Sequence, residues 1–258
     1  MDVRDKVVVV TGAASGIGRA LAQRFATEGA ATVVAADIDG DGAGVVAEAI
    51  GGVAATVDVS QESAIATLVD ETERDVGPID LFCSNAGILA IGGVEQPDDA
   101  WRRSLDVNVM AHLWAARHLV PRMIERGGGH LLNTASAAGL LIQIGSGPYT
   151  MTKHAAVGFA EWLSVTYGGQ GIGVSVLCPQ AVDTPMTAGI EGGGVAGVDG
   201  MLSPAAVADA VMEGLAADRF LILPHPEVAK YERRKVADRE RWLSGMRRLQ
   251  ARFSDMLS

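Results

Sequence analysis

The chain has little cysteine, few aromatics and no long apolar run, and each shortage excludes something. Cys83 and Cys178 are the two cysteines in 258 residues. Two thiols build no disulfide framework, and each ends an apolar run, as reduced core residues of a cytoplasmic protein do. No stretch reaches 18 consecutive apolar residues, so no membrane-spanning helix is expected. "MDVRDKVVVVTG" enters a strand at once and shows no secretory signal pattern. The histidines (His112, His118, His130, His154, His225) lack metal-ligand spacing, and no metal is expected. Positive charge is also short. Lys and Arg total 21 against 31 Asp and Glu, a formal net charge of −10. Such a surface repels phosphate, which disfavours nucleic acid and anionic lipid as partners. The shortage is uneven, because nine basic residues stand against three acidic ones between Lys230 and Arg252.

What is present is a core-forming composition, with 48% apolar and 20% charged residues, enough for one large α/β domain. Short β-branched runs alternate with stretches of helical period. Residues 6–11, 31–36, 53–57, 79–84, 130–135, 172–178 and 219–223 read as strands. Helical patterns cover 64–75, 101–126, 149–167 and 204–217. This alternation predicts a parallel sheet with helices on both faces, since parallel neighbours need a crossover. No repeat or linker divides the chain, so residues 1–258 are expected to form one domain. Residues 187–202 hold six glycines. They form either a mobile lid over a site or a loop without a role.

"TGAASGIG" places Gly12, Gly16 and Gly18 where the first strand turns into the first helix. A tight turn needs positive φ, a close phosphate excludes side chains, and a helix start offers free N–H donors. A pyrophosphate suits that place. Asp37 ends the second strand, where a carboxylate can accept from ribose hydroxyls and would repel a 2′-phosphate, which favours NAD over NADP. Tyr149 and Lys153 lie one helical turn apart, so the ammonium can draw the phenol toward its ionised form. Ser136 follows the fifth strand, where its hydroxyl can meet a reacting oxygen. Taken alone, Tyr149 and Lys153 fit an aromatic packed under an aliphatic stem equally well. The ordered set of glycine loop, strand-end carboxylate, serine and Tyr–Lys pair favours chemistry.

On these motifs the chain resembles the short-chain dehydrogenase/reductase family over residues 5–225. "DV" at Asp58–Val59, "NAG" at Asn85–Gly87, Asn108 in "DVNVMA" and "VDTPM" after Pro179 are similar to further family motifs. The resemblance implies a doubly wound Rossmann sheet of seven strands, order 3-2-1-4-5-6-7. It implies a cofactor site of Gly12, Ser15, Gly16, Ile17, Gly18, Asp37, Ile38, Asp58, Val59, Asn85, Ala86, Gly87, Pro179, Val182, Thr184 and Met186, with Tyr149 and Lys153. It implies catalysis by Ser136, Tyr149, Lys153 and Asn108, with Asn108 holding a water against the lysine. A homo-oligomer, tetramer or dimer, goes with it. Gln180 departs from the family's usual glycine; it either narrows the site and meets substrate, or points to solvent.

Leu140, Gln143, Gln180 and Ile190 are the expected substrate contacts. No cation is evidently placed for an anionic substrate, so an uncharged, apolar secondary alcohol or ketone is expected. A 3-oxoacyl thioester reductase of the same fold and a dinucleotide-sensing module without turnover are the alternatives. Residues 228–258 are expected as a helical extension with Trp242, Met246, Leu249 and Phe253 on one stripe, packed across the acidic body of its own or a neighbouring subunit near the substrate opening.

Overall fold

Among the described residues seven strands, with most of their residues buried except in the third, form one parallel sheet. They are β1 (Val7–Thr11), β2 (Thr32–Asp37), β3 (Val53–Thr56), β4 (Leu81–Ser84), β5 (Gly129–Thr134), β6 (Ile172–Leu177) and β7 (Leu221–Ile222). The order is β3-β2-β1-β4-β5-β6-β7, as expected, and every pairing is parallel. The computed structural model describes residues 1–253. The strand order reverses between β1 and β4, and at such a switch point a crevice opens beyond the strands' carboxyl ends.

Helices cover both faces. On one side α1 (Gly16–Thr27), α2 (Gly40–Ile50) and α7 (Pro204–Ala216) bury Leu21, Phe25, Val46, Val207, Val211 and Leu215 against one face of the sheet. On the other, α3 (Glu62–Asp75), α5 (Ala111–Glu125) and α6 (Gly147–Tyr167) bury Ile65, Leu68, Leu119, Met123 and Leu163. Apolar strands such as "VVVV" are what two covered faces require.

The stretch expected as one helix from Trp101 to Arg126 differs. It consists of α4 (Asp98–Leu105), a π-helical turn (Asp106–Met110) and α5. The wide turn sets Asn108 fully inside, where its Nδ2 donates to the Ile88 carbonyl at 2.9 Å and its Oδ1 accepts from the Ile88 N–H at 2.9 Å. Satisfying that buried amide repays the irregular helix.

The glycine-rich segment forms two short 3₁₀ stretches, Pro185–Thr187 and Glu191–Gly197. Gly192, Gly193 and Gly194 all have positive φ, so only glycine passes there without strain. Its base is stitched down: Leu202 donates to the Ala181 carbonyl, and Asp183 to that of Leu202.

Beyond β7, α8 (Glu227–Ala237) and α9 (Arg239–Phe253) fold back over the crevice, broken at Asp238. Residues 254–258 of the expected extension lie outside the described residues. Lys235 latches this pair of helices to the body. Its ammonium donates to the carbonyls of Leu140 (2.5 Å) and Leu141 (3.1 Å), meets His154 Nε2 at 3.2 Å, and lies 5.2 Å from the Trp242 ring centroid. Among the described residues no helix is long and apolar enough to cross a membrane.

Lys235→Ala removes the donor from two carbonyls and should cost ~1–3 kcal/mol of stability. Urea unfolding with an unchanged slope measures it, and Arg233→Ala on the same helix should leave the midpoint in place.

Candidate active site

The crevice is a cleft of about 1630 Å³. Its floor at one end is the turn between β1 and α1. Gly12 and Gly16 take φ of 69° and 52°, in the region that favours glycine. A Cβ on Gly18 would lie 2.0 Å from the Gly12 carbonyl oxygen and 2.6 Å from Asn85 Nδ2. The turn therefore closes only with a bare α-carbon at that position. The first-turn N–H groups of α1 have no intrahelical acceptor, and Gly16, Ile17 and Gly18 line the cleft. Ser15 caps the helix without a side-chain bond, which leaves its hydroxyl free there.

Asp37 is held rigidly: Oδ2 accepts from the Ala14 N–H at 2.9 Å and Oδ1 from that of Asp39 at 3.0 Å. Asn85 ties three strand ends together, donating to the Thr11 carbonyl and accepting from the Thr134 hydroxyl. Asp58 accepts from the N–H and hydroxyl of Ser60. Burial raises its pKa, but those two bonds and the Arg103 charge prevail and hold it below the usual carboxylate range. Ile38, Val59, Ala86, Gly87, Pro179, Val182, Thr184 and Met186 also line the cleft. Every residue expected at the cofactor thus borders one cavity. Donors at a helix start, a bare-glycine floor and an oriented carboxylate fit a dinucleotide, with phosphates over α1 and ribose hydroxyls on Asp37.

Ser136, Tyr149 and Lys153 meet at the middle of the same cleft. Ser146 caps α6 by accepting from the Tyr149 N–H, and this fixes the helix start and the tyrosine with it. One turn on, Lys153 is 2% exposed; its ammonium donates to the Thr134 carbonyl at 3.0 Å and lies 5.5 Å from the Tyr149 ring centroid. The titration differs from the expected pull of lysine on phenol. Burial pushes the Tyr149 phenol up, with the Ser136 hydroxyl pulling the other way. Burial brings Lys153 down to about 8. Desolvation penalises both charged forms more than the pair offsets. Asn108 does not line the cleft. It sits behind Gly87, where an added Cβ would lie 3.3 Å from its Oδ1 and 3.5 Å from Lys153 Nζ. Its amide is spent on Ile88 and Thr152.

The other end of the cleft corrects two expectations. Leu140 does not face it: the side chain turns into the core, and Leu141, Ile142 and Gln143 line the wall instead. Basic side chains are present as well. Arg234 on α8 and Arg241, Arg248 and Arg252 on α9 line the cleft, so the expectation of no cation at the substrate end does not hold. Heptad spacing placed an apolar stripe on this segment, but which body it would fold onto is a tertiary matter that periodicity does not carry. Gln180 lines the cleft with its Oε1 buried and, among the described residues, without a partner, and its N–H donates to His225. Its amide does not point to solvent. Ile190, Met186, Val195 and Val198 bring the glycine-rich segment onto the cleft, as a lid would be.

His112 was not singled out by the sequence. It is 2% exposed behind Lys153, and neither ring nitrogen has a hydrogen-bond partner among the described residues. Burial first, and the Lys153 charge second, push it down to about 3. Its position four residues after Asn108, one turn along the helix, was the available signal. Among the described residues no group of three or more His, Cys, Asp or Glu is placed to hold a metal.

A family model described as short chain dehydrogenase matches residues 6–192. A 1-deoxy-11-beta-hydroxypentalenate dehydrogenase of Streptomyces exfoliatus is 40% identical over 236 residues, 88% of this chain and 86% of that protein. A 3beta-hydroxysteroid dehydrogenase of Mediterraneibacter gnavus is 35% identical over 71% of this chain and 68% of its own. A short chain dehydrogenase/reductase from Burkholderia phymatum, solved in complex with NAD, superposes with a TM-score of 0.84 at 30% identity, covering 93% of this chain and 96% of that one.

His112 is neutral in the fold well below its unfolded pKa of about 6.5. Its contribution to stability is therefore full above pH 6.5 and is lost as pH falls toward 3, where the unfolded chain binds the extra proton. His112→Leu should flatten the acid limb of the stability curve by up to ~1.4 kcal/mol per pH unit below 6.5. Urea midpoints taken between pH 4 and 8 measure the difference from wild type.

Proposed function

The chain belongs to the short-chain dehydrogenases, and on that premise we propose that it interconverts an apolar secondary alcohol and its ketone with NAD(H). One observation carries this reading: Ser136, Tyr149 and Lys153 border the same cleft as the glycine turn and Asp37. Relatives that match most of its length are named dehydrogenases of hydroxyl-bearing molecules, in one case a hydroxypentalenate and in another a steroid.

Bound along the cleft, the dinucleotide supplies the acceptor for the hydrogen leaving carbon. The chain's own residues handle the oxygen and its proton. Ser136, at the end of β5, offers its hydroxyl to the substrate oxygen. Tyr149 exchanges the hydroxyl proton. Burial keeps its phenol protonated in the free protein, which suits it as the acid in ketone reduction. Lys153, with its pKa brought to about 8, carries a positive charge at neutral pH beside the ring. That charge stabilises the phenolate needed in the oxidative direction. Asn108 acts at one remove, fixing the Ile88 backbone and with it the loop between β4 and the cleft. The fixed Asp37 carboxylate favours NAD, since a 2′-phosphate would meet its charge directly.

A cytoplasmic homo-oligomer, tetramer or dimer, completes the proposal. A second reading, reduction of 3-oxoacyl thioesters, draws support from the arginines at the open end of the cleft, but Asp37 weighs against the NADPH such a reaction would use.

Tyr149→Phe should lower turnover by ~10²–10⁴-fold while NADH fluorescence titration shows unchanged binding; retained activity would remove the proposed proton carrier. Initial rates with the two dinucleotides should favour NAD by at least ~10-fold in kcat/KM, a repulsion of about 1.4 kcal/mol. A preference for NADP would refute the role of Asp37.

A further inference from the structure

The dehydrogenase reading leaves the arginines of the C-terminal helices without a task. On α9, Arg241, Gly245, Arg248 and Arg252 follow one another at i, i+4, i+7 and i+11, and Trp242, Met246 and Leu249 run beside them. All seven residues line the cleft. The helix therefore presents two adjacent ridges, one basic and one apolar, to the same space. Arg234 adds a fourth guanidinium from α8.

These arginines are exposed and uncommitted. Arg24, Arg74, Arg102, Arg117, Arg122 and Arg126 each hold a carboxylate elsewhere on the molecule. Among the described residues, Arg234, Arg241, Arg248 and Arg252 pair with none; Arg248 reaches only the Ser244 hydroxyl. Among the described residues Asp238 is the one carboxylate of these two helices that lines the cleft, and it accepts from the Arg241 N–H at the start of α9. In a chain with a formal charge of −10, four guanidinium groups against that single carboxylate make this end of the cavity attractive to an anion.

The cofactor's phosphates are not that anion. Their place is over α1, whereas the Lys235 latch holds α8 on Leu140 and Leu141, just beyond Ser136. Tyr231 of α8 donates to Asp199 of the lid, so the basic wall and the lid close on the same end.

We propose that the substrate is an amphiphile whose apolar skeleton packs on Trp242, Met246 and Leu249 and whose carboxylate is received by Arg234, Arg241 and Arg248. This rests on the dehydrogenase reading for the hydroxyl end and narrows its substrate class to apolar hydroxy or keto acids. Guanidinium forks match a carboxylate in two-point contact, and the neighbouring apolar ridge selects an anion attached to hydrocarbon over a free one.

The test is calorimetric titration of the full chain with saturating NAD⁺, using adamantane-1-carboxylate, adamantane-1-carboxamide and inorganic phosphate as probes. The carboxylate should bind at least ~10-fold more tightly than the carboxamide, and phosphate more weakly than the carboxylate. The Arg241→Gln/Arg248→Gln variant should erase the difference between carboxylate and carboxamide with an unshifted melting temperature. Arg233→Gln, on α8 but off the cleft, should preserve it. Equal affinity for the two adamantanes, phosphate binding as tight as the carboxylate, absence of carboxylate binding, or an undiminished difference in the double variant would each overturn the proposal. NADH formation from apolar secondary alcohols, with and without a carboxylate, is scored separately. If it fails while carboxylate binding persists, the reaction is wrong and the anion site stands; the reverse result removes the anion site alone.

Discussion

A lysine ammonium buried beneath a tyrosine is the constraint around which the cleft is arranged. Lys153 is almost entirely withdrawn from water, and an isolated charge there would be far too costly to keep. The Thr134 carbonyl at the end of β5 accepts a hydrogen bond from it, and Gly87 lets the backbone pass close by. Both come from strand ends, so the lysine is tolerable only where a parallel sheet terminates. The same strand ends carry Asn85, whose amide joins β1, β4 and β5. Anchoring the charge and shaping the glycine-turn end of the cleft thus draw on the same strand ends.

Much of this was legible from residue order. Apolar strands separated by amphipathic helices force a parallel sheet, and a parallel sheet collects its strand ends on one side. Gly12, Asp37 and Ser136 stand at the ends of three different strands, and Tyr149 is on the helix that follows the third, so topology alone gathers them. Less legible were features decided by packing across the sequence. The π turn at Asp106–Met110 keeps nearly the same apolar pattern as a regular helix, so periodicity does not reveal it. Leu140 and Leu141 are chemically alike, and which of them turns inward depends on the chain's path after Ser136. His112 lies one helical turn after Asn108, and that spacing alone does not separate it from an ordinary core histidine. The basic segment after Lys230 stood out in composition and was expected near the substrate opening, but no local pattern announces the Lys235 latch that helps to seat it there.

The two ends of the cleft are built differently. The cofactor end is made of backbone, with turns closed by bare α-carbons and carboxylates immobilised by N–H groups. It belongs to the sheet and shares its rigidity. The far end is made of side chains from elements added to the sheet: the glycine-rich segment and the two C-terminal helices. These are joined to each other through Tyr231 and Asp199, and to the body through Lys235, His225 and the stitching at Leu202. Under the proposed function, such a division would let the reaction chemistry stay fixed while the wall meeting substrate is set by replaceable residues.

The π turn has a consequence for how the chain tolerates change. It holds one residue more than the same span of α-helix needs, and removing that residue would yield a more regular rod with all its hydrogen bonds. Such a deletion would look harmless by any count of helical propensity. Yet each residue of an α-helix turns about 100°, so everything on one side of the cut would rotate by that much relative to the other. Asn108 would leave Ile88, or the whole of α5 would lift its apolar face from the sheet. A defect in the helix is therefore what permits both of its halves to be seated at once.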